Sequence, residues 1–251
     1  MKLPVLDTYA FPVTLPSTGQ SITMRPYLVR EEKLLLMAQE SDNYQDQVEA
    51  IAQVIRNCTN EQVNPRTAPY FDIEYLLLQL RARSVGEVTT PVYVCHHTPE
   101  GADAECGHQT AVSVNLTDVP VTNVEKPKDH FIITLSDKYT LHLRYPTVYT
   151  IHELLKSAVT TGKISSVAFM ESLCDVFDRL EDRSTNQIYD FADYTTEEKI
   201  QFAESLSPRN YEELVRFLDG LPTVEKTITF TCEKCQFEHT IKLSGVVDFL
   251  D

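Results

Sequence analysis

Hydrophobic positions along the chain alternate between two periods. One is the period of two that marks a half-buried strand; the other is the period near 3.6 that marks a helix packed on one side. The first apolar run, 11–15, is rich in strand-forming residues. A turn-forming stretch at 16–20 follows, and then a second strand-like run at 21–29, which predicts a hairpin. Helical spacing then takes over. A helix over 30–40 carries Leu34, Leu35, Met37 and Ala38 on one side, and Asp42 is placed to cap a second helix in which Val48, Ile51, Ala52 and Ile55 recur. Beyond Pro65 and Pro69 a third helix, over 72–83, presents Ile73, Leu76, Leu77 and Leu80. Its apolar stripe is read as core, or as a surface for a partner. Glu31, Glu32, Asp46 and Glu49 are assigned to solvated faces.

The middle of the chain returns to alternation, with strands expected over 88–95, 110–116, 131–135 and 139–143, and Ser136, Asp137 and Lys138 turning a hairpin. Helical signals resume with the capping boxes Thr150/Glu153 and Thr195/Glu198 and the start signal Ser207-Pro208. They predict helices over 151–160, 164–182, 196–206 and 208–219. Strands over 227–232 and 239–243 and an apolar tail (Val246, Val247, Phe249, Leu250) close the chain. Helices and strands in separate runs specify an α+β fold rather than the strict alternation of a parallel sheet. The expected organisation is an N-terminal hairpin with helices (1–87), a strand region (88–149), a helical insertion (150–222) and C-terminal strands (223–251), forming one or two compact domains.

Charge narrows the range of functions. With 22 basic against 37 acidic residues the net charge is −15, which disfavours contact with nucleic-acid backbones and anionic membrane surfaces. Protein partners are expected instead. Only 7 glycines are present, and no cluster of them forms a phosphate-cradling loop. No stretch approaches the roughly 20 apolar residues needed to cross a bilayer, and the N-terminus lacks the apolar core of a signal peptide. A cytoplasmic setting follows, where cysteine pairs read as metal ligands before disulfides.

Cys232-Glu-Lys-Cys235 is a C-x-x-C. That spacing suits either two thiolates facing one tetrahedral Zn²⁺ or a redox pair, and redox pairs sit at a helix N-terminus. Strand-like sequence on both sides favours a zinc knuckle. A closed site needs two more ligands, and Cys95, His96, His97, Cys106 and His108 are the clustered candidates. The chain around Cys95 and Cys106 reads strand, cysteine, loop, cysteine, strand, as does the chain around Cys232 and Cys235. Cys95, Cys106, Cys232 and Cys235 are therefore the expected ligands of a structural Zn²⁺ in a discontinuous zinc-ribbon-like element. His97 or His108 is the substitute if the ten-residue spacing keeps Cys106 away. His96, His97 and His108 otherwise belong to a surface loop. Cys58 and Cys174 are expected to pack as small hydrophobes, and His130, His142 and His152 to pack or cap. The second histidine of H-E-x-x-H is missing after His152-Glu153, and neither a zinc-deaminase pattern nor G-x-S-x-G occurs, so no catalytic residues are assigned.

The run from Met24 through Arg25-Pro26-Tyr27 to Ala38 resembles the N-terminal signature of the baseplate hub proteins of T-even-like contractile-tailed phages. Val54-Ile-Arg-Asn-Cys58, the run from Phe71 to Glu87, Arg144-Tyr-Pro-Thr147, and Cys232-x-x-Cys235 ahead of Gly245-Val-Val-Asp-Phe249 continue the resemblance in order. The stretch 100–105 departs from it, since a shorter spacing of Cys95 and Cys106 is the family's pattern. The resemblance implies a hub subunit or hub-assembly factor that contacts other phage tail and baseplate proteins, in the host cytoplasm during assembly or in the virion tail baseplate, with no catalytic residues. Two other classes stand beside it: a zinc-ribbon adaptor for a nucleic-acid enzyme, and a metal-dependent hydrolase with an open zinc position.

Overall fold

The computed structural model describes residues 8–41, 43–124, 131–151 and 166–250. It is α+β, with helices packed among antiparallel sheets. Strands β1 (Phe11–Thr14) and β2 (Ser21–Met24) form the expected hairpin, with Val13, Ile22 and Met24 buried on one face. Helices α1 (Val29–Gln39), α2 (Tyr44–Cys58) and α3 (Tyr70–Ser84) follow. Asn43 caps α2 by accepting from the Gln45 N–H; Asp42 lies outside the described residues. In α1, Leu34 and Leu35 pack on the core beside buried Ala38, but Met37 is turned to solvent.

Glu31 overturns one expectation. It is fully buried, with its carboxylate 2.8 Å from Arg25 and 2.8 Å from Arg30, and it accepts the Leu28 N–H at 2.9 Å. These donors hold its carboxyl down to about 2 despite its burial. Helical periodicity placed Glu31 outside, because the residue that draws it in is Arg25, which lies before the helix begins.

Helix α3 is the axis of the molecule and presents no free face. Ile73, Leu76 and Leu80 join the core under the β1–β2 hairpin; Leu78 and Ala82 join a second core with Val114, Leu116, Val224 and Phe249. Phe71 meets the Tyr145 ring edge-on, and Tyr145 in turn packs against a third core. A helix that packs against cores on several sides leaves little face for a partner, so the reading of α3 as a partner surface is withdrawn.

Between α3 and the second helical region lie the short strands β3 (Val88–Thr89), β4 (Val92–Val94), β5 (Gln109–Ala111), β6 (Val114–Asn115) and β7 (Val121–Thr122), with β4 paired to β5 and β3 to β6. Strands β8 (Phe131–Thr134) and β9 (Tyr139–Leu143) form the expected second hairpin. The helix expected over 164–182 is corrected. Its first part is α4 (Ser166–Asp175), but Phe177–Asp182 is a strand, β10, paired with β9 and with β11 (Gln187–Asp190). The turn between them is built on Asp182, whose Oδ1 accepts the Ser184 N–H at 2.8 Å and the Ser184 hydroxyl at 2.6 Å, with Asn186 at φ 55°. The resulting sheet, β11-β10-β9-β8, packs its inner side against α4, α5 (Thr196–Glu204) and α6 (Pro208–Asp219). The Thr195/Glu198 capping box and the Ser207 cap are present as read. Helix 151–160 and the Thr150/Glu153 box fall on or run into residues outside those described. Strand β12 (Thr223–Thr231) begins earlier than expected and β13 (Glu238–Ser244) extends at both ends, and the apolar tail forms α7 (Val247–Leu250) with Phe249 buried.

Candidate metal centre

Two hairpin tips meet at the end of this fold, one from β4–β5 and one from β12–β13. Both are built to the same backbone plan. In the second tip the Cys232 N–H donates to Phe237 O at 2.9 Å, and the Gln236 N–H donates back to Cys232 O at 2.9 Å. In the first, the Cys95 N–H donates to His108 O at 2.8 Å, and the Gly107 N–H donates to Cys95 O at 2.9 Å. Each bond thus links the first cysteine to the residue one or two places after the second. That following residue is left-handed in both tips, Gly107 at φ 64° and Gln236 at φ 59°. Glycine supplies this conformation without steric cost in the first tip. The longer spacing of Cys95 and Cys106 is absorbed by an exposed loop over 98–105, closed at its base by a bond from the Cys106 N–H to His97 O at 2.8 Å. Cys106 therefore arrives at the site despite its distance along the chain.

The four sulfur atoms of Cys95, Cys106, Cys232 and Cys235 lie within 4.8 Å of one another. Cys95 Sγ is 3.6 Å from Cys235 Sγ, and Cys106 Sγ is 3.8 Å from Cys232 Sγ. These distances exceed a disulfide's length of about 2.05 Å and all four thiols are free. They match the edge of a tetrahedron about 3.8 Å long, which follows from Zn–S bonds of about 2.3 Å. The donor set is chemically uniform, three of its members are buried and Cys235 is partly buried. The residues present therefore fit a soft tetrahedral cation. The contacts join residues 126 and 140 positions apart in sequence.

Backbone amides surround the sulfurs. The N–H groups of Cys235 and Lys234 hold the Cys232 thiol below the ordinary thiol range, while burial pushes the Cys95 thiol up. Four thiols this close resist joint ionisation, and a dication that binds them as thiolates removes that conflict by displacing their protons.

The candidate histidines do not enter the group. His96 Nδ1 lies 2.6 Å from Glu105 Oε2, and His108 Nε2 lies 4.0 Å from Glu233 Oε2. His97 stacks on Phe237 with ring centroids 4.1 Å apart. The residue that sequence reasoning missed is His239, whose Nε2 lies 3.1 Å from Cys95 Sγ. Its signal was present, since it stands four residues past Cys235, but it was read only as the start of a strand. Elsewhere, burial lifts the Cys58 thiol to about 11 and the Cys174 thiol to about 12, as suits packed, unreactive sulfurs in two separate cores. His142 is buried with Nε2 3.3 Å from Glu181, whereas His130 and His152 lie outside the described residues.

An α+β protein whose N- and C-terminal halves meet at four converging cysteines is the class that fold and site define. The chain belongs to a phage family: the model of the T4 bacteriophage base plate protein family matches residues 8–251. No curated protein and no solved structure matches it. Membership gives the chain a structural baseplate role and an association with the virion and its other baseplate proteins. Among the described residues, no helix is long and apolar enough to cross a membrane.

Proposed function

We propose that the chain is a non-enzymatic baseplate hub component or hub-assembly factor that works by protein–protein contacts and is braced by one structural Zn²⁺ on Cys95, Cys106, Cys232 and Cys235. The observation that carries this reading is the convergence of four cysteine sulfurs within 4.8 Å of one another in a chain of the baseplate family. Zn²⁺ held by four thiolates is coordinatively closed, which suits a structural role; catalytic zinc keeps one position for water or substrate. The metal would tie β4–β5 to β12–β13 as the two halves of a discontinuous zinc ribbon, adding binding free energy to folding. The net charge of −15 supports partners with basic or mixed surfaces.

The adaptor and hydrolase alternatives are weaker. The cysteine group contains no carboxylate, and membership of the baseplate family points to tails rather than to a polymerase or nuclease. Disrupting the gene in its phage and imaging the products by electron microscopy tests the proposal. A block before baseplate completion, rescued by the wild-type gene, is expected, and normal tails would overturn it. Mass spectrometry of purified tails then separates the two roles, because a hub component stays in the particle and an assembly factor leaves.

A further inference from the structure

The two hairpin tips share a backbone plan but differ in the donors around their first cysteine. In the second tip Lys234 and Cys235 follow Cys232 directly within one tight turn, closed by the Gln236 N–H on Cys232 O at 2.9 Å. In the first tip His97 holds the position two residues past Cys95. The second cysteine comes only after the longer loop, and its N–H is turned to His97 O at 2.8 Å. The His239 ring nitrogen stands beside Cys95 instead, 3.1 Å from its sulfur.

We infer that His239 is a positioning residue of the metal centre, whose Nε2–H donates a hydrogen bond to the Cys95 thiolate in place of the amide that the long loop diverts. This inference rests on the four-cysteine metal site proposed above. A metal-bound thiolate carries no proton, so the contact is attractive only when Nε2 is the protonated nitrogen. The donated bond offsets part of the negative charge that four thiolates leave on a dication, in a chain that is already acidic. Outer donors of this kind orient ligands and set their affinity.

The ring is held for the task. His239 stacks on Phe230 (centroids 5.1 Å apart, planes at 19°) and meets Phe237 edge-on at 4.9 Å. Phe230 stacks on Tyr93 at 5.6 Å, and Phe237 stacks on His97 at 4.1 Å. The resulting ladder of five rings crosses between the two hairpins twice. It fixes the imidazole from both sides and gives the hairpins contact that does not depend on the metal.

The test compares wild type, His239→Phe and His239→Gln. Phenylalanine keeps an aromatic ring in the ladder but cannot donate; glutamine restores a donor without the ring. Zn²⁺ affinity is measured by competition with a chromophoric chelator, and Co²⁺ is substituted to read the thiolate-to-metal charge-transfer band. His239→Phe is expected to match the wild-type circular dichroism in saturating Zn²⁺, to bind it about 10–100-fold more weakly, and to shift the Co²⁺ band to longer wavelength. His239→Gln is expected to recover part of both. Equal affinity and an unshifted band in His239→Phe would overturn the inference while leaving the four-cysteine site intact. A wild-type chain that binds no metal would overturn the site and the inference together.

Discussion

Replacing Glu31 with glutamine keeps the side chain's shape and removes one buried charge. In the wild type that charge is shared by Arg25 and Arg30 and accepts the Leu28 N–H, and the three together hold the carboxyl at about 2, against an ordinary value of 4.5. A shift of that size corresponds to about 3 kcal/mol at neutral pH. Arg30 is 67% exposed, so solvent screening reduces the expected loss to roughly 2 kcal/mol. The sign follows from linkage. A carboxyl whose pKa is lowered by folding contributes stability above its unfolded value, and that contribution fades as pH falls toward the folded value. Urea melts of wild type and Glu31→Gln should therefore differ by roughly 2 kcal/mol at pH 7, and the gap should shrink as the pH is lowered from about 5 toward 2. Equal stability at pH 7, or a gap that persists unchanged at the acid end, would refute the reasoning.

Glu74 behaves in the opposite way. Its Oε1 accepts the Val246 N–H at 3.1 Å, its Oε2 is buried without a partner, and burial lifts the carboxyl to about 7. A raised folded value contributes stability below about 4.5 that is lost as pH rises through 7, so Glu74→Gln should be more stable than wild type by on the order of 2–3 kcal/mol at pH 8. Urea melts at pH 5 and pH 8 check this, and an advantage that does not grow with pH would count against it. Leu78 is fully buried where α3 meets the C-terminal strands, so Leu78→Ala should cost about 2–5 kcal/mol. Leu36→Ala, at a position 55% exposed, should change stability by less than about 0.5 kcal/mol. Denaturant midpoints that put both variants together would undo the assignment of α3 as a shared core helix.

The elements legible in the sequence were those whose signals are local. The β1–β2 hairpin, α2, α5, α6 and the β8–β9 hairpin follow from periodicity and from the caps Thr195/Glu198 of α5 and Ser207-Pro208 of α6. The β10–β11 hairpin was hidden because Phe177 and Leu180 stand three apart, as on a helix, and the turn chemistry of Asp182 to Asn186 was overlooked. Glu31 was misassigned, and α3 was read as core along one stripe only, for a tertiary reason. A helical pattern locates one apolar face, but it does not reveal an arginine arriving from outside the helix or cores on several sides. At the site, the repeated strand–cysteine–loop–cysteine–strand pattern brought out all four cysteines that the fold gathers. His239 escaped notice because the need for it arises from the diverted Cys106 amide, which only the three-dimensional loop displays.

The most direct test of the metal-braced baseplate protein proposed here is the zinc content of the full chain, purified without chelator, by elemental analysis alongside Cys106→Ser. One zinc per wild-type chain, lost in the variant together with cooperative folding, is the predicted result. A wild-type chain that folds and carries no zinc would contradict it.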